Sequence, residues 1–177
     1  MLKALVVSDI YVPDAKELSK NVDLVISCGD LYKKDLEIFD KPIFGVYGNH
    51  CDGKYLEELG ATNLHLKVAE FNGLKLGGFQ SCIDYKYQEA IPLYSQEEVD
   101  ELLKDFHYVD IFVAHSPPFG LLDDPGDPVH TGFHAFRDYI EKHHPKYFLC
   151  GHLDPNEEME YKGTKIIRTH GSRFLDI

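Results

Sequence analysis

The chain is short of several things, and each shortage narrows the reading. It has four cysteines in 177 residues. Cys28, Cys51, Cys82 and Cys150 show no CxxC spacing, which leaves neither a disulfide framework nor a cysteine-built zinc site. A reducing cytoplasm is the expected compartment. No apolar run approaches the roughly 20 residues of a membrane span, and Met1–Val7 reaches Ser8-Asp9 too soon for a signal-peptide core. Basic residues are scarce, 18 against 30 acidic ones, for a net charge of −12 with histidine neutral. That balance disfavours a nonspecific nucleic-acid or anionic-membrane binder, whose footprint is a basic face. It leaves an anionic substrate open, because a bound metal inverts the field locally. No repeat, low-complexity stretch or charge block marks a linker. At roughly 150 residues per domain the expectation is one domain over residues 1–177, long enough to bury a sizeable core without staples.

What is present is ordinary globular composition, 44% apolar and 27% charged, with ten histidines. Leu2–Val7 is a continuous apolar run, as in a strand buried on both faces. A helix is expected over Asp14–Lys20, strands over Asp23–Ser27 and Pro42–Tyr47, and a helix over Lys54–Leu59 ended by Gly60. Leu64–Phe71 and Leu74–Phe79 flank Asn72-Gly73, a strong hairpin signal. Ser95, with Glu98 three residues on, caps a helix to Lys104. A strand at Asp110–His115, a Pro/Gly-rich loop at Ser116–Pro128, a helix over Gly132–Lys142 and a strand at Lys146–Cys150 follow. Glu158–Tyr161 and Thr164–Thr169 pair across Lys162-Gly163. Alternating strands and helices beside hairpins fit an α/β fold, a four-layer αββα sandwich of two mixed β-sheets flanked by helices. A three-layer α/β fold satisfies the same periodicity.

Polar residues collect just after the apolar runs, where open α/β sheets place ligands. Five strand ends supply Asp9, Asp30, Asn49, His115 and His152, with Tyr11, His50 and Asp154 beside them. Mixed oxygen and imidazole donors from many strands suit two metals sharing a carboxylate. The glycines before Asp30, Asn49 and His152 are expected to let the backbone turn sharply.

The ordered set Asp9-Ile10-Tyr11, Gly29-Asp30, Gly48-Asn49-His50-Cys51-Asp52, His115 and Gly151-His152-Leu153-Asp154 resembles the calcineurin-like metallophosphoesterase superfamily. His115-Ser116-Pro117-Pro118-Phe119-Gly120 is similar to its small Icc-related branch. The resemblance spans nearly the whole chain and implies the αββα sandwich. It also implies hydrolysis of a small phosphomonoester or phosphodiester by a metal-bound hydroxide. One metal would be held by Asp30, Asn49, His115 and His152, and the other by Asp9 and the bridging Asp30. His50 would assist the leaving oxygen. Two cations offset the substrate's charge, and an unligated imidazole is suited to deliver a proton.

Two family histidines are replaced, by Tyr11 and Asp154. Asp9, Tyr11, Asp30 and Asp154 form an all-oxygen set that favours hard ions; the order read here is Mn, then Fe, with Zn and Mg behind. A phenolate needs a strongly charged neighbour, because phenol ionises near pH 10. Alternatively the first site is weak or empty, or is completed by His130, His134 or His170. His65, His107, His143 and His144 read as strand-edge or helix-end residues with solvent partners. A Cys51 nucleophile partnered by His50 is a weaker alternative. Arg137 is a candidate for a substrate phosphate, although a surface charge is the plainer reading. The expected partner is a small phosphorylated substrate, with no membrane, nucleic acid disfavoured and a homo-oligomer left open. The rival reading is a protein-binding scaffold that kept the fold and lost the chemistry.

Overall fold

A computed structural model describes residues 1–86 and 90–177. The first half of the chain runs β1 (Lys3–Ser8), α1 (Ala15–Ser19), β2 (Leu24–Ser27), α2 (Lys33–Leu36), β3 (Ile43–Gly45), α3 (Tyr55–Glu58) and β4 (Thr62–Asn63). Then come β5 (Val68–Phe71), β6 (Leu74–Phe79), α4 (Gln96–Leu103) and β7 (Ile111–Ala114). The chain closes with α5 (His134–His143), β8 (Tyr147–Cys150), β9 (Glu157–Tyr161), β10 (Thr164–Arg168) and β11 (Gly171–Asp176).

The strands form two mixed sheets. One has the order β11-β1-β2-β3-β4 and the other β5-β6-β7-β8-β10-β9. β1 to β4 pair in parallel, with β11 antiparallel at the edge. In the second sheet β6, β7, β8 and β10 are parallel, with β5 and β9 antiparallel at the edges.

Side-chain alternation explains the layering. Leu5, Val7 and Val25 face an outer core with Leu36 and Leu56 from α2 and α3. Their neighbours Val6 and Ile26 face inward, against Leu76, Val113 and Leu149 of the second sheet. Successive residues of a strand point to opposite faces, so a strand between two cores must be apolar throughout. The far face of the second sheet packs Phe79, Phe112 and Phe148 against Phe136 and Tyr139 of α5. Phe112 and Phe148 stack at 5.0 Å and 9°; truncating such a buried ring costs about 3–5 kcal/mol. Helix, sheet, sheet and helix are the four layers.

Local signals agree with these elements. Ser95 Oγ accepts the Glu98 amide at 3.2 Å and the Glu98 carboxylate accepts the Ser95 amide at 2.7 Å, closing the capping box of α4. Asn72 and Gly73 both take positive φ, 49° and 81°, as a tight hairpin demands. Lys162 and Gly163 do the same at 49° and 81°.

Three elements were not expected: α2, β4 and β11. β11 lacks an apolar stripe, and Phe174 is 52% exposed. It forms because β1 has an open edge, which it pairs from Lys3 opposite Asp176 to Ser8 opposite Gly171. The expected strand Leu64–Phe71 is also shorter. Leu66 turns left-handed at φ 54°, so regular pairing starts only at Val68.

Candidate metal centre

Five strand ends meet at one edge of the sandwich. Asp9 follows β1, Asp30 follows β2, Asn49 lies beyond β3, His115 follows β7 and His152 lies just past β8. Asp9, Asp30 and His152 hold φ of 67°, 54° and 72°. A non-glycine residue in that region costs about 1–3 kcal/mol and persists only where its surroundings over-determine it. Here they do. The Asp9 amide donates to the Gly29 carbonyl at 3.1 Å. Asp9 Oδ2 accepts from Ser8 Oγ at 2.6 Å and from the His152 amide at 3.0 Å. Asp30 Oδ1 accepts from the His50 amide at 2.8 Å.

The glycines act differently from the expectation. Only Gly29 needs its conformation, at φ 97°. Gly48 and Gly151 are required because carboxylates fill the space a side chain would take. A Cβ on Gly48 would strike the Asp30 carboxylate, and one on Gly151 would strike Ser8 Oγ and the Asp9 carboxylate.

His115 is fully buried at the centre of the cluster. Its Nδ1 donates to the Cys28 carbonyl at 2.8 Å, which turns Nε2 into the cleft. Around Nε2 lie Asn49 Oδ1 at 2.9 Å, His152 Nδ1 at 3.2 Å and Asp30 Oδ2 at 3.3 Å. Burial alone would depress the His115 pKa, but Asp30 and Asp9 outweigh it and hold it up at about 9. Burial would raise Asp30, yet His115 and the His50 amide keep it well below the ordinary carboxylate range. Asp9, the second carboxylate of the pair, is pushed up by burial more than His115 lowers it. His152 is pushed down to about 3, by burial and then by His115.

This donor set fits a divalent cation. Ligand atoms of Asp9, Asp30 and His115 lie within 4.8 Å of one another. The 2.9–3.3 Å spacings around His115 Nε2 match the roughly 3.0–3.5 Å between neighbouring ligands at typical metal–ligand distances. Two half-buried carboxylates hold the His115 pKa up, a charge balance that a bound cation would supply in the proton's place.

Residues 2–154 match the family model of the calcineurin-like phosphoesterases. The chain belongs to that family. Solved structures of similar fold include TT1561 of Thermus thermophilus, at 15% identity and a TM-score of 0.69, covering 94% of this chain and 88% of that one. The phosphopantetheinyl hydrolase PptH from Mycobacterium tuberculosis matches at 13% identity and TM-score 0.65, covering 96% and 89%. Vps29 from Entamoeba histolytica, solved with zinc, matches at 16% identity and TM-score 0.50, covering 94% and 73%. At such identities the likeness is one of fold. No curated protein matches the sequence.

In this calcineurin-like phosphoesterase the two replaced positions sit apart from the cluster. Tyr11 is 52% exposed and lines a shallow crevice with Ala15, Leu31 and Phe39. Asp154 is exposed and lies outside the carboxylate–imidazole group found among the described residues. His50 is exposed beside Asp30. Asp52, two residues on, caps α3 by accepting the amides of Lys54 at 2.9 Å and Tyr55 at 3.2 Å. Cys51 does not fit the nucleophile alternative: it is buried, and burial pushes its thiol up to about 11. Its Sγ instead accepts the amides of Gly48 at 3.1 Å and Asp30 at 3.3 Å, bracing the loop.

Other readings change as well. His65 is not solvated: Nδ1 accepts the Gln80 amide at 3.2 Å, Tyr94 faces Nε2, and burial lowers its pKa to about 4. Arg137 is spent on Glu141 and Tyr161. His134 stacks on Phe119. Sequence reasoning missed Ser8, the carbonyls of Cys28 and Val129, and Tyr85. Tyr85 OH accepts Asn49 Nδ2 at 3.1 Å, and the Val129 carbonyl accepts His152 Nε2 at 3.0 Å. Backbone carbonyls leave no residue-type signal; Ser8, adjacent to Asp9, did.

Proposed function

We propose that this chain is a metal-dependent phosphoesterase acting on a small phosphomonoester or phosphodiester. The observation that carries the reading is the gathering of Asp9, Asp30, Asn49 and His152 about His115, with three of the five in strained backbone conformations. Asp30, Asn49, His115 and His152 would hold one ion. Asp9 and Asp30 would hold a second, with Tyr11 and Asp154 at its open edge. Bound divalent ions, Mn(II) first, would neutralise the phosphoryl charge and acidify the attacking water. Asn49 and the imidazoles orient the cleft around the phosphoryl group. His50 stands at the exposed side of Asp30, where it can give a proton to the leaving oxygen.

The test is hydrolysis of p-nitrophenyl phosphate and bis-p-nitrophenyl phosphate by protein stripped with chelator and reloaded with Mn(II). Activity that returns with Mn(II) and is lost in His50→Ala and His115→Ala supports the reading. Absence of turnover in the Mn(II)-loaded protein overturns it. A second reading, a protein-binding scaffold, is favoured by the exposure of Tyr11 and Asp154 away from the cluster. It predicts metal binding without turnover on either ester.

A further inference from the structure

The loop between β7 and α5 carries a third imidazole to the metal centre. At its base the Phe119 amide donates to the Phe133 carbonyl at 3.1 Å and the Phe133 amide to the Pro117 carbonyl at 3.2 Å. The Asp123 carboxylate ties its two ends, accepting the amides of Gly120 at 2.8 Å and Gly132 at 2.9 Å. Arg168, 5% exposed, donates to the carbonyls of Leu122 and Pro155 and to Glu157. The loop is thus a braced Ω-type segment, which can present a side chain at fixed position.

At its tip Asp127 Oδ1 accepts the Val129 amide at 3.0 Å, while Oδ2 bonds His130 Nδ1 at 2.6 Å. The His130 ring lies 5.1 Å from the ring of His152, close to the 4.9 Å that separates His152 from His115. His152 is thus in ring contact with His115 on one hand and with His130 of the loop on the other. His115 and His152 are in the cluster, and their nitrogens face each other. His130 and Asp127 keep side chains 38% and 40% exposed, so the pair is open to solvent. Because Nδ1 is bound to Asp127, Nε2 occupies the other edge of the ring. His50, by contrast, has a neighbouring carboxylate, Asp52, that is committed to α3.

We propose that His130, oriented by Asp127, is a substrate-binding residue that hydrogen-bonds a phosphoryl oxygen from the loop side of the cleft. In that contact the ring meets Asp127 through Nδ1 and the phosphoryl oxygen through Nε2. Asp127 acts through His130 and is a positioning residue. The inference rests on the phosphoesterase reading and adds the contact that holds the phosphoryl group on that side.

The probe is inorganic phosphate, titrated calorimetrically into Mn(II)-loaded protein whose metal content is measured in parallel. Wild type is expected to bind phosphate, and His130→Ala to keep its metal while binding phosphate about tenfold more weakly. Asp127→Asn is expected to shift affinity in the same direction by a smaller factor, and His134→Ala to leave it unchanged. In turnover His130→Ala and Asp127→Asn raise KM more than they lower kcat. Wild-type phosphate affinity in His130→Ala with metal retained overturns the proposal while leaving the phosphoesterase reading intact. Loss of metal in His130→Ala also overturns it, by making His130 part of the metal site. Wild type that binds neither Mn(II) nor phosphate overturns the phosphoesterase reading itself.

Discussion

The two halves of the metal cleft are built on the same plan and finish differently. In one half Asn49, His152 and Asp30 gather around Nε2 of His115, at 2.9, 3.2 and 3.3 Å. In the other, Asp9 is fixed by Ser8 and the His152 amide. Its two companions, Tyr11 and Asp154, lie two residues further along their loops and are exposed. Distance from the strand does not decide this, because Asp30 and Asn49 lie as far past β2 and β3 as Tyr11 and Asp154 lie past β1 and β8. What differs is the tie: the His50 amide holds Asp30 and His115 holds Asn49, whereas Tyr11 and Asp154 are exposed. A tight half-site beside a loose one is the consequence.

The largest effect is expected where the halves join. Asp30→Ala removes the carboxylate proposed to serve both and should lower phosphoesterase kcat/KM by at least about 1,000-fold. Retention of more than a tenth of wild-type activity would show that the halves do not share it. Gly151→Ala should break the Asp9 half by crowding Ser8 and Asp9. Overpacking of this sort costs about 1–3 kcal/mol, visible as a lower unfolding midpoint in urea. It should also weaken the second Mn(II) more than the first.

The pH dependence sharpens the comparison, because His115 sits in the tight half. Its pKa is raised to about 9, above an unfolded value of about 6.5. Its contribution to metal-free stability is therefore complete below about 6.5 and is lost as pH rises through about 9. Asp30, held low by the same contact, contributes above about 4 and loses it on acidification. His152, pushed down to about 3, opposes stability: below about 6.5 the unfolded chain takes up a proton that the folded chain refuses. The metal-free protein should be most stable near neutrality. A metal on His115 excludes the proton, so the gap in Tm between Mn(II)-loaded and metal-free protein should widen from pH 6.5 to 9. A constant gap would place the ion elsewhere.

The smallest effects belong to the loose half. Tyr11→Phe and Asp154→Asn should each change kcat/KM by less than about threefold, as exposed side chains outside the cluster. A tenfold loss in either would show that the loop closes on the metal.

Much of this arrangement was legible in the chain. The apolar run of β1 read as a doubly buried strand because it lies between two cores, and Asn72-Gly73 announced its hairpin. Asp30, Asn49, His115 and His152 were legible because they follow apolar runs closely and their residue types can ligate a metal. What was hidden depended on tertiary contact. β11 exists because β1 offers an edge, and its own pattern is mute. The need for glycine at 48 and 151 comes from carboxylates on other strands, not from local turning. The carbonyls of Cys28 and Val129, which aim the two imidazoles, belong to residues whose side chains say nothing of it. His130 was visible as a residue, but its Asp127 partner and its distance from His152 needed the folded loop.

The most direct measurement is an equilibrium titration of metal-free protein with Mn(II), following free ion by electron paramagnetic resonance. One tight ion per chain, lost in His115→Ala, and a second at least about tenfold weaker, lost in Asp9→Asn, is the predicted result. Two equivalent tight ions, or none, would contradict a cleft made of one finished half and one open half.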